Sequence, residues 1–193
     1  MTDAIVEVYN RNSGADTTGA VMAVKKWILE VVVSLLTRTR SYFFEEFAIV
    51  VSEIVQSNDK VETLDIHGLT AVVGVGGPAS LLIAFSFEQS LIDELYARVT
   101  ADFEVPPGEE KMYRESVAGD VINTIVGNCT AELQQGSYAI SLTPPMIIDH
   151  IKHIHRIKNA VFISKNLVTE YGTVDIHLIG PGELFDSSLN YVK

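Results

Sequence analysis

The sequence predicts an α/β fold of the α+β type, in which helices pack against a mostly antiparallel sheet. The first observation is composition, because 47% of the 193 residues are apolar and 20% are charged, which is enough apolar surface for a sizeable core. The second is element order, since a helical pattern followed by three extended runs occurs twice, over residues 41–87 and 110–179, with a linking helix between them. The two copies share little sequence, so this repeat is predicted from element order alone.

The first 38 residues are predicted to form an arm and an extra helix. Residues 1–19 are rich in Asn, Ser, Gly, Asp and Thr, which favour turns over regular elements. Residues 20–37 place apolar side chains three and four positions apart, a spacing typical of a helix. The basic run Arg38-Thr39-Arg40 is expected to break this helix, and a second helix is predicted over residues 41–56. The buried face of that second helix is expected to hold Phe43, Phe47, Val50 and Ile54.

The rest of the chain alternates extended runs with two helices. The turn Gly76-Gly77-Pro78 is followed by a β-rich run rather than a helix, so its glycines indicate a hairpin and not a phosphate-binding loop. A short helix is predicted over residues 88–99, with Leu91, Leu95 and Val99 facing inward. A long helix is predicted over residues 110–135, ending at a glycine. The extended runs cover residues 60–67, 70–75, 80–87, 138–142, 160–169 and 173–179.

The long helix has one apolar face and one unusually small polar face. At 100° per residue the polar stripe holds Ser116, Asp120, Asn123, Gly127, Thr130 and Gln134. The opposite side holds Ala118, Val121, Ile122, Ile125, Cys129 and Leu133. A polar outer face is ordinary on a surface helix, but this stripe lacks the Lys, Glu and Arg that usually solvate one. A glycine in mid-helix costs about 1 kcal/mol relative to alanine, so a close approach is predicted at Gly127.

Charge and cysteine content exclude several classes of function. The net charge is −11, from 14 basic against 25 acidic residues, which opposes binding to nucleic acid and to anionic lipid. The apolar stretch over residues 27–36 is shorter than the roughly 20 residues that a membrane helix needs. The single Cys129 cannot form an internal disulfide. We therefore expect a cytoplasmic protein with no nucleic acid and no membrane as partner.

The segment Glu115-Ser-Val-Ala-Gly-Asp-Val-Ile-Asn-Thr-Ile-Val-Gly-Asn128 resembles the motif helix of the CheX/CheC chemotaxis phosphatase family, and CheX more than CheC. That motif is a Ser/Asp-x-x-x-Glu-x-x-Asn helix followed by Gly-Asn. The run Gly74-Val-Gly-Gly77 with its following strand, the pair Pro144-Pro145 and the turn Glu170-Tyr-Gly172 add to the resemblance. Together these segments cover about 140 residues, and their order along the chain is the main support for the resemblance.

The resemblance implies a CheC-like fold of two helix-plus-three-strand repeats with a long motif helix. It places a CheX-like domain at residues 39–182, after an N-terminal arm and extra helix at residues 1–38 and before a C-terminal tail at residues 183–193. It also implies a homodimer, because CheX proteins pair through their sheets.

The resemblance also implies a function. Proteins of this family dock on a phosphorylated response-regulator receiver of the CheY type and hydrolyse its aspartyl phosphate. Carried over residue by residue, Asn123 would orient the attacking water and Asp120 would contact the active-site Lys of the receiver, with Ser116, Gly127 and Thr130 on the partner-binding surface. The chain would need no cofactor of its own, since the receiver supplies the Mg²⁺.

One departure from the family pattern leaves an alternative open. Asp120 stands where the family has Glu, and its side chain is one methylene shorter, so we expect weakened turnover. A non-catalytic module that binds a receiver through the same face is therefore the second hypothesis. In the first repeat, Glu53 and Gln56 have the spacing of the Glu and Asn of the motif, but Gln stands where the family has Asn. A single site, on the long helix, is therefore predicted.

Two other groups of residues carry chemistry in principle. His150, His153 and His155 follow Asp149 closely, which suggests a metal site, but the spacing matches no strong pattern and a solvated basic loop is favoured. Cys129 lies on the apolar side of the long helix with no basic neighbour in sequence, which indicates a buried small side chain rather than a nucleophile. No metal ligand is therefore assigned.

Overall fold

The computed structural model of the chain describes residues 17–57, 63–65, 68–134, 139–149, 153–155 and 160–181. The helices are α1 (Thr17–Phe47), α2 (Gln89–Val99) and α3 (Glu110–Gln134). The first strands are β1 (Glu53–Ser57), β2 (Thr63–Asp65), β3 (Leu69–Gly76) and β4 (Leu81–Phe87). The remaining strands are β5 (Ser141–Leu142), β6 (Met146–Ile148), β7 (His153–His155), β8 (Ala160–Thr169) and β9 (Gly172–Pro181).

The strands form one antiparallel sheet of seven strands in the order β1-β8-β9-β4-β3-β5, with β6 also paired to β3. A separate two-stranded sheet joins β2 to β7. The predicted mixed fold with a mostly antiparallel sheet is confirmed. The extended run predicted from residue 138 to residue 142 or beyond is divided in two, because β5 has only two residues and β6 continues along the same edge of β3.

Tight turns connect the central hairpins at the predicted places. The β3–β4 connection contains the Gly-Gly-Pro turn, as expected. At the β8–β9 turn, Gly172 has φ of 129°, and a Cβ there would lie 2.6 Å from the hydroxyl of Ser90. Only glycine fits both the backbone conformation and the space at this position.

The predicted break at Arg38–Arg40 is wrong, because α1 runs without interruption from Thr17 to Phe47. Thr39 is fully buried, and its hydroxyl donates to the carbonyl of Leu35 one turn earlier at 2.7 Å. The guanidinium of Arg38 finds an anionic partner on α3, so the basic run is accommodated within the helix. Residue 38, where we placed the end of the N-terminal extension, therefore lies inside a continuous helix.

The second predicted helix also ends earlier than expected. Ala48 has φ of 49°, and the amide of Ile49 donates to the carbonyl of Phe43 at 2.9 Å, which terminates α1. The residues beyond this turn form β1, an edge strand whose backbone hydrogen bonds are supplied by β8. The predicted inward position of Val50 is wrong, because Val50 is exposed and Ile49 takes the buried place.

The core lies between the helices and the main sheet. All but one of the predicted apolar positions of α3 are fully buried, Leu133 being half-buried. On α2, Leu91 and Leu95 are buried as predicted, whereas Val99 is exposed and Ile92 is buried instead. The indole of Trp27 on α1 lies 3.0 Å from the position that a Cβ on Gly77 would take, so α1 reaches the β3–β4 hairpin. Within the described residues, no helix is both long enough and apolar enough to cross a bilayer.

Side-chain contacts join α1 to the C-terminal half of α3. The carboxylate of Glu132 accepts a hydrogen bond from Ser34 at 2.8 Å and lies 3.3 Å from the guanidinium of Arg38. The Ser34 hydrogen bond is the main cause that lowers the pKa of Glu132. These contacts hold α1 against the C-terminal half of α3.

Candidate functional site

Three of the predicted site residues lie on an open face of α3. Ser116, Asp120 and Asn123 are all exposed, at spacings of four and three. In a helix, residues three apart differ by about 60° around the axis and about 4.5 Å along it, so Asp120 and Asn123 project in similar directions. Buried Val121 and Ile122 lie between them in sequence and fix this part of α3 on the core.

The carboxylate and the amide of this pair are available for a partner. Among the residues that the structure describes, neither Asp120 nor Asn123 forms a hydrogen bond or an ion pair through its side chain. By contrast, Glu115 of the same helix lies 3.7 Å from the ammonium of Lys111. An exposed amide can donate and accept at once, while an exposed carboxylate can meet a cation from another protein.

The two C-terminal positions of the predicted stripe differ from expectation. Thr130 is only 5% exposed, and its hydroxyl donates to the carbonyl of Gly127 at 3.0 Å, so its predicted place on the open surface is wrong. The physical reason is the packing of α1, since Cys129 and Glu132 on either side of Thr130 both contact α1. The predicted close approach at Gly127 is not made within the described chain, because nothing lies within 4 Å of the position that a Cβ would take there.

The C-terminal end of α1 lies beside the part of α3 that carries Asp120 and Asn123. Tyr42 of α1 is half-buried near Thr124, the residue that follows Asn123. Burial is the main cause that raises the pKa of Tyr42, and the carboxylates of Glu46 and Asp120 raise it further. The phenol therefore stays protonated at neutral pH and lies within electrostatic reach of both carboxylates.

Sequence reasoning did not find Tyr42, Glu46 or Thr124. The contact joins residues about 80 positions apart, and the predicted helix break placed no constraint on how α1 meets α3. A single sequence shows which face of a helix is apolar, but it does not show which residues of one helix meet which residues of another.

The N-terminal half of α3 is held by ion pairs. The ammonium of Lys111 lies 2.8 Å from the carboxylate of Asp149, and this hydrogen bond is the main cause that raises the pKa of Lys111. The guanidinium of Arg114 contacts the carboxylate of Asp93 at 2.6 Å and lies over the ring of Tyr96. These contacts fix the start of the helix that carries the pair.

The other chemically suggestive residues give no second site. Cys129 is buried, and desolvation raises the pKa of its thiol to about 11, so the thiolate that a nucleophile needs is not populated at neutral pH. His150 and the side chains of His153 and His155 lie outside the described residues. Among the residues described, no three His, Cys, Asp or Glu side chains are grouped so that they could hold a metal ion.

Helices on an antiparallel sheet, with a long helix presenting an exposed carboxylate and amide, define a protein of the CheC-like class. The family model described as "Chemotaxis phosphatase CheX" matches residues 69–164, which include the whole of α3. The chain is a CheX-like member of the CheX/CheC family. No curated protein matches this sequence.

Three solved structures illustrate the likeness in fold. The chemotaxis protein CheX from Desulfovibrio desulfuricans is 16% identical, with a TM-score of 0.63 over 77% of this chain and 97% of that one. A CheC-like superfamily protein from Shewanella sp. PV-4 is 16% identical, with a TM-score of 0.61 over 78% of this chain and 96% of that one. The CheX–CheY–BeF₃–Mg²⁺ complex from Borrelia burgdorferi gives 15% identity and a TM-score of 0.60 over 77% and 96%. At these identities the likeness shows the shared fold.

Proposed function

We propose that this protein binds a phosphorylated CheY-type receiver and promotes hydrolysis of its aspartyl phosphate. The observation that carries the proposal is the Asp120–Asn123 pair, which is exposed on α3 and has no internal partner among the described residues. Membership of a family described as a chemotaxis phosphatase supports this function. The complex of a CheX with CheY, BeF₃ and Mg²⁺ supports a receiver as the partner and as the source of the metal ion.

The proposed reaction needs no nucleophile and no metal ion from this chain. Water attacks the phosphorus of the aspartyl phosphate, the receiver's aspartate carboxylate leaves, and inorganic phosphate is the product. An acyl phosphate is already a reactive electrophile, so catalysis consists of positioning the water and stabilising charge. Asn123 would accept a hydrogen bond from the water with its amide oxygen and so aim the oxygen of the water in line with the bond that breaks. Asp120 would pair with the active-site Lys of the receiver and hold the docked geometry.

The remaining surface assignments follow from the same docking. Ser116 lies one turn before Asp120 and is exposed, so it belongs to the proposed contact surface. Gly127 is half-buried with open space where a side chain would be, which leaves room for a partner to approach. Thr130 would act only through its hydrogen bond to the carbonyl of Gly127. A homodimer and a cytoplasmic location remain predictions from the resemblance and from composition.

The test compares the decay of a phosphorylated receiver alone, with the wild-type protein and with Asn123→Ala. The panel of receivers is the set of CheY-type proteins from the same organism, each charged with acetyl phosphate. We expect Asn123→Ala to remove nearly all the acceleration while leaving thermal stability unchanged, because Asn123 is exposed. Gln89→Ala is the control for loss of an exposed helical amide, and its thermal midpoint is measured as well, because the Gln89 amide also donates to Asp93 at 3.0 Å. Equal decay with the wild type and Asn123→Ala would exclude the catalytic role.

Non-catalytic receiver binding is the second hypothesis, and the short side chain of Asp120 favours it. It predicts that the protein binds a beryllofluoride-activated receiver with Mg²⁺ but does not accelerate loss of phosphate from a phosphorylated one. Measuring both quantities on the same preparation separates the two hypotheses.

A further inference from the structure

We infer that Phe103 and Met112 form an apolar anchor for the same receiver, beside the Asp120–Asn123 pair. This apolar patch lies where the loop between α2 and α3 meets the first turn of α3. The inference rests on the proposed function. It adds the part of the docking surface that would supply affinity and choice of partner rather than chemistry.

The first step of the argument is that the pair and its neighbour offer too little surface to hold a partner. Ser116, Asp120 and Asn123 are small polar side chains that together span about 10.5 Å along α3. A specific protein interface buries about 800 Å² on each partner, and a few anchors, often aromatic, supply most of its binding energy. A receiver that docks over the pair must therefore also cover apolar side chains outside it.

The second step is that Phe103 and Met112 are exposed within reach of such a footprint. A circular footprint of about 800 Å² has a radius of about 16 Å. Met112 lies about 12 Å before Asp120 along α3 and is 53% exposed. Phe103 is 47% exposed, and its ring centroid lies 5.8 Å from that of Tyr113. Tyr113 precedes Asp120 by almost two full turns of the helix, so the two side chains project within about 20° of each other.

The third step is that the loop carrying Phe103 is held in place before any partner binds. The amide of Phe103 donates to the carbonyl of Thr100 at 3.2 Å, and the amide of Gly108 donates to the carboxylate of Glu110 at 3.0 Å. The pair Pro106-Pro107 lies between these bonds and restricts the backbone further. A surface that is already ordered loses little conformational entropy on binding, so more of the energy of its apolar contacts remains as affinity.

The fourth step is that the surroundings of the patch are acidic, which indicates the chemistry of the partner. Asp102 and Glu104 flank Phe103 in sequence, and both are exposed. The cationic side chains in the first turns of α3, Lys111 and Arg114, are each already paired with an aspartate. Complementary charge speeds association and disfavours wrong partners. The receiver that fits therefore presents an apolar recess rimmed by Lys or Arg next to its phosphorylated aspartate.

The experiment measures binding of a beryllofluoride-activated CheY-type receiver with Mg²⁺ to the full chain and its variants. Phe103→Ala should raise the Kd about tenfold and Met112→Ala about threefold, because each removes a side chain that the docked receiver buries. Leu82→Ala is the matched control and should leave the Kd within about twofold of the wild type. Leu82 is 44% exposed but lies between buried Leu81 and Ile83 on β4, so it projects from the face of the sheet opposite the core.

Rate measurements distinguish an anchor from a catalytic group. At saturating protein, single-turnover loss of phosphate from a receiver charged with acetyl phosphate should be unchanged in Phe103→Ala, because the patch is remote from the reacting atoms. The double variant Asp102→Asn/Glu104→Gln should associate about threefold more slowly at low salt, with a smaller difference at high salt and an unchanged dissociation rate. The thermal midpoint shows whether Phe103→Ala disturbs the loop, and Met112→Ala tests the patch without loss of the ring contact.

Each outcome has a distinct meaning. Unchanged Kd values in both Phe103→Ala and Met112→Ala would overturn the inference, even if Asn123→Ala abolishes hydrolysis and the proposed function stands. If the wild type binds the receiver without accelerating phosphate loss, the catalytic proposal fails, and the Kd values still decide the inference. If the two patch variants change only the self-association of the chain, the patch contacts a second copy and the inference is wrong. An unchanged association rate in Asp102→Asn/Glu104→Gln would overturn the basic rim of the partner.

Discussion

Replacing Asp120 by Glu should raise the rate of receiver dephosphorylation. The side chain is exposed, so the surface of α3 has room for one more methylene. That methylene extends the reach of the carboxylate by about 1.5 Å, the length of one carbon–carbon bond. If the shorter acid stops about 5.5 Å from the ammonium of the receiver, the longer one reaches about 4 Å. At an effective dielectric constant of about 20, the attraction then rises from about 3 to about 4 kcal/mol.

A difference of about 1 kcal/mol corresponds to about a fivefold increase in rate if the contact is made fully in the transition state. The assay is single-turnover decay of the phosphorylated receiver at saturating protein, with Asp120→Asn as the matched neutral variant. We expect Asp120→Asn to fall below the wild type. Thermal stability should rise by a few tenths of a kcal/mol at most in Asp120→Glu, from helix propensity, so altered folding cannot account for a fivefold effect. An unchanged or lower rate in Asp120→Glu would refute the reasoning from reach.

Two further predictions concern stability. Lys165 is 2% exposed on β8, and desolvation lowers its pKa below 10.5, so its charge opposes folding at neutral pH. Lys165→Met should raise the free energy of unfolding by about 1 kcal/mol at pH 7, measured by urea denaturation. The wild type should gain stability as the pH rises towards 10.5, and the variant should lack this gain. A lower free energy of unfolding in the variant would mean that the ammonium is well paired. Glu132 has its pKa lowered below 4.5, so its contribution to stability is present above pH 4.5 and is lost as the pH falls through the lowered value. Glu132→Gln should therefore lose stability less steeply on acidification below pH 4.5, and identical acid-unfolding curves for variant and wild type would contradict this.

The spacing of apolar residues predicted those features of the fold that are set within a single helix or turn. The bounds and both faces of α3 came close to the observed helix, because a 25-residue amphipathic helix contains many repeats of its pattern. The hairpin at Gly76–Pro78 was also found, because its residue types favour turns.

Contacts between elements account for what the sequence did not predict. The basic residues at 38–40 suggested a break, yet Arg38 is neutralised by Glu132 from another helix, and no local pattern indicates that pairing. Thr130 was placed on the open face by its angle around α3, and only the packing of α1 buries it. In the same way, Tyr42 enters the candidate site through the crossing of two helices distant in sequence.

The uninterrupted course of α1 limits how this protein can be divided. A cut at residue 38 would sever a single 31-residue rod and strip away Trp27, Ile28, Val31, Val32, Leu35 and Leu36, all of them buried. Each such side chain contributes about 1.5–3 kcal/mol through burial, so the loss of all six, about 9–18 kcal/mol, would be as large as the roughly 5–15 kcal/mol by which a whole domain is stable. The segment that precedes the family core is thus a structural partner of it, and the smallest piece that folds must begin upstream of Trp27.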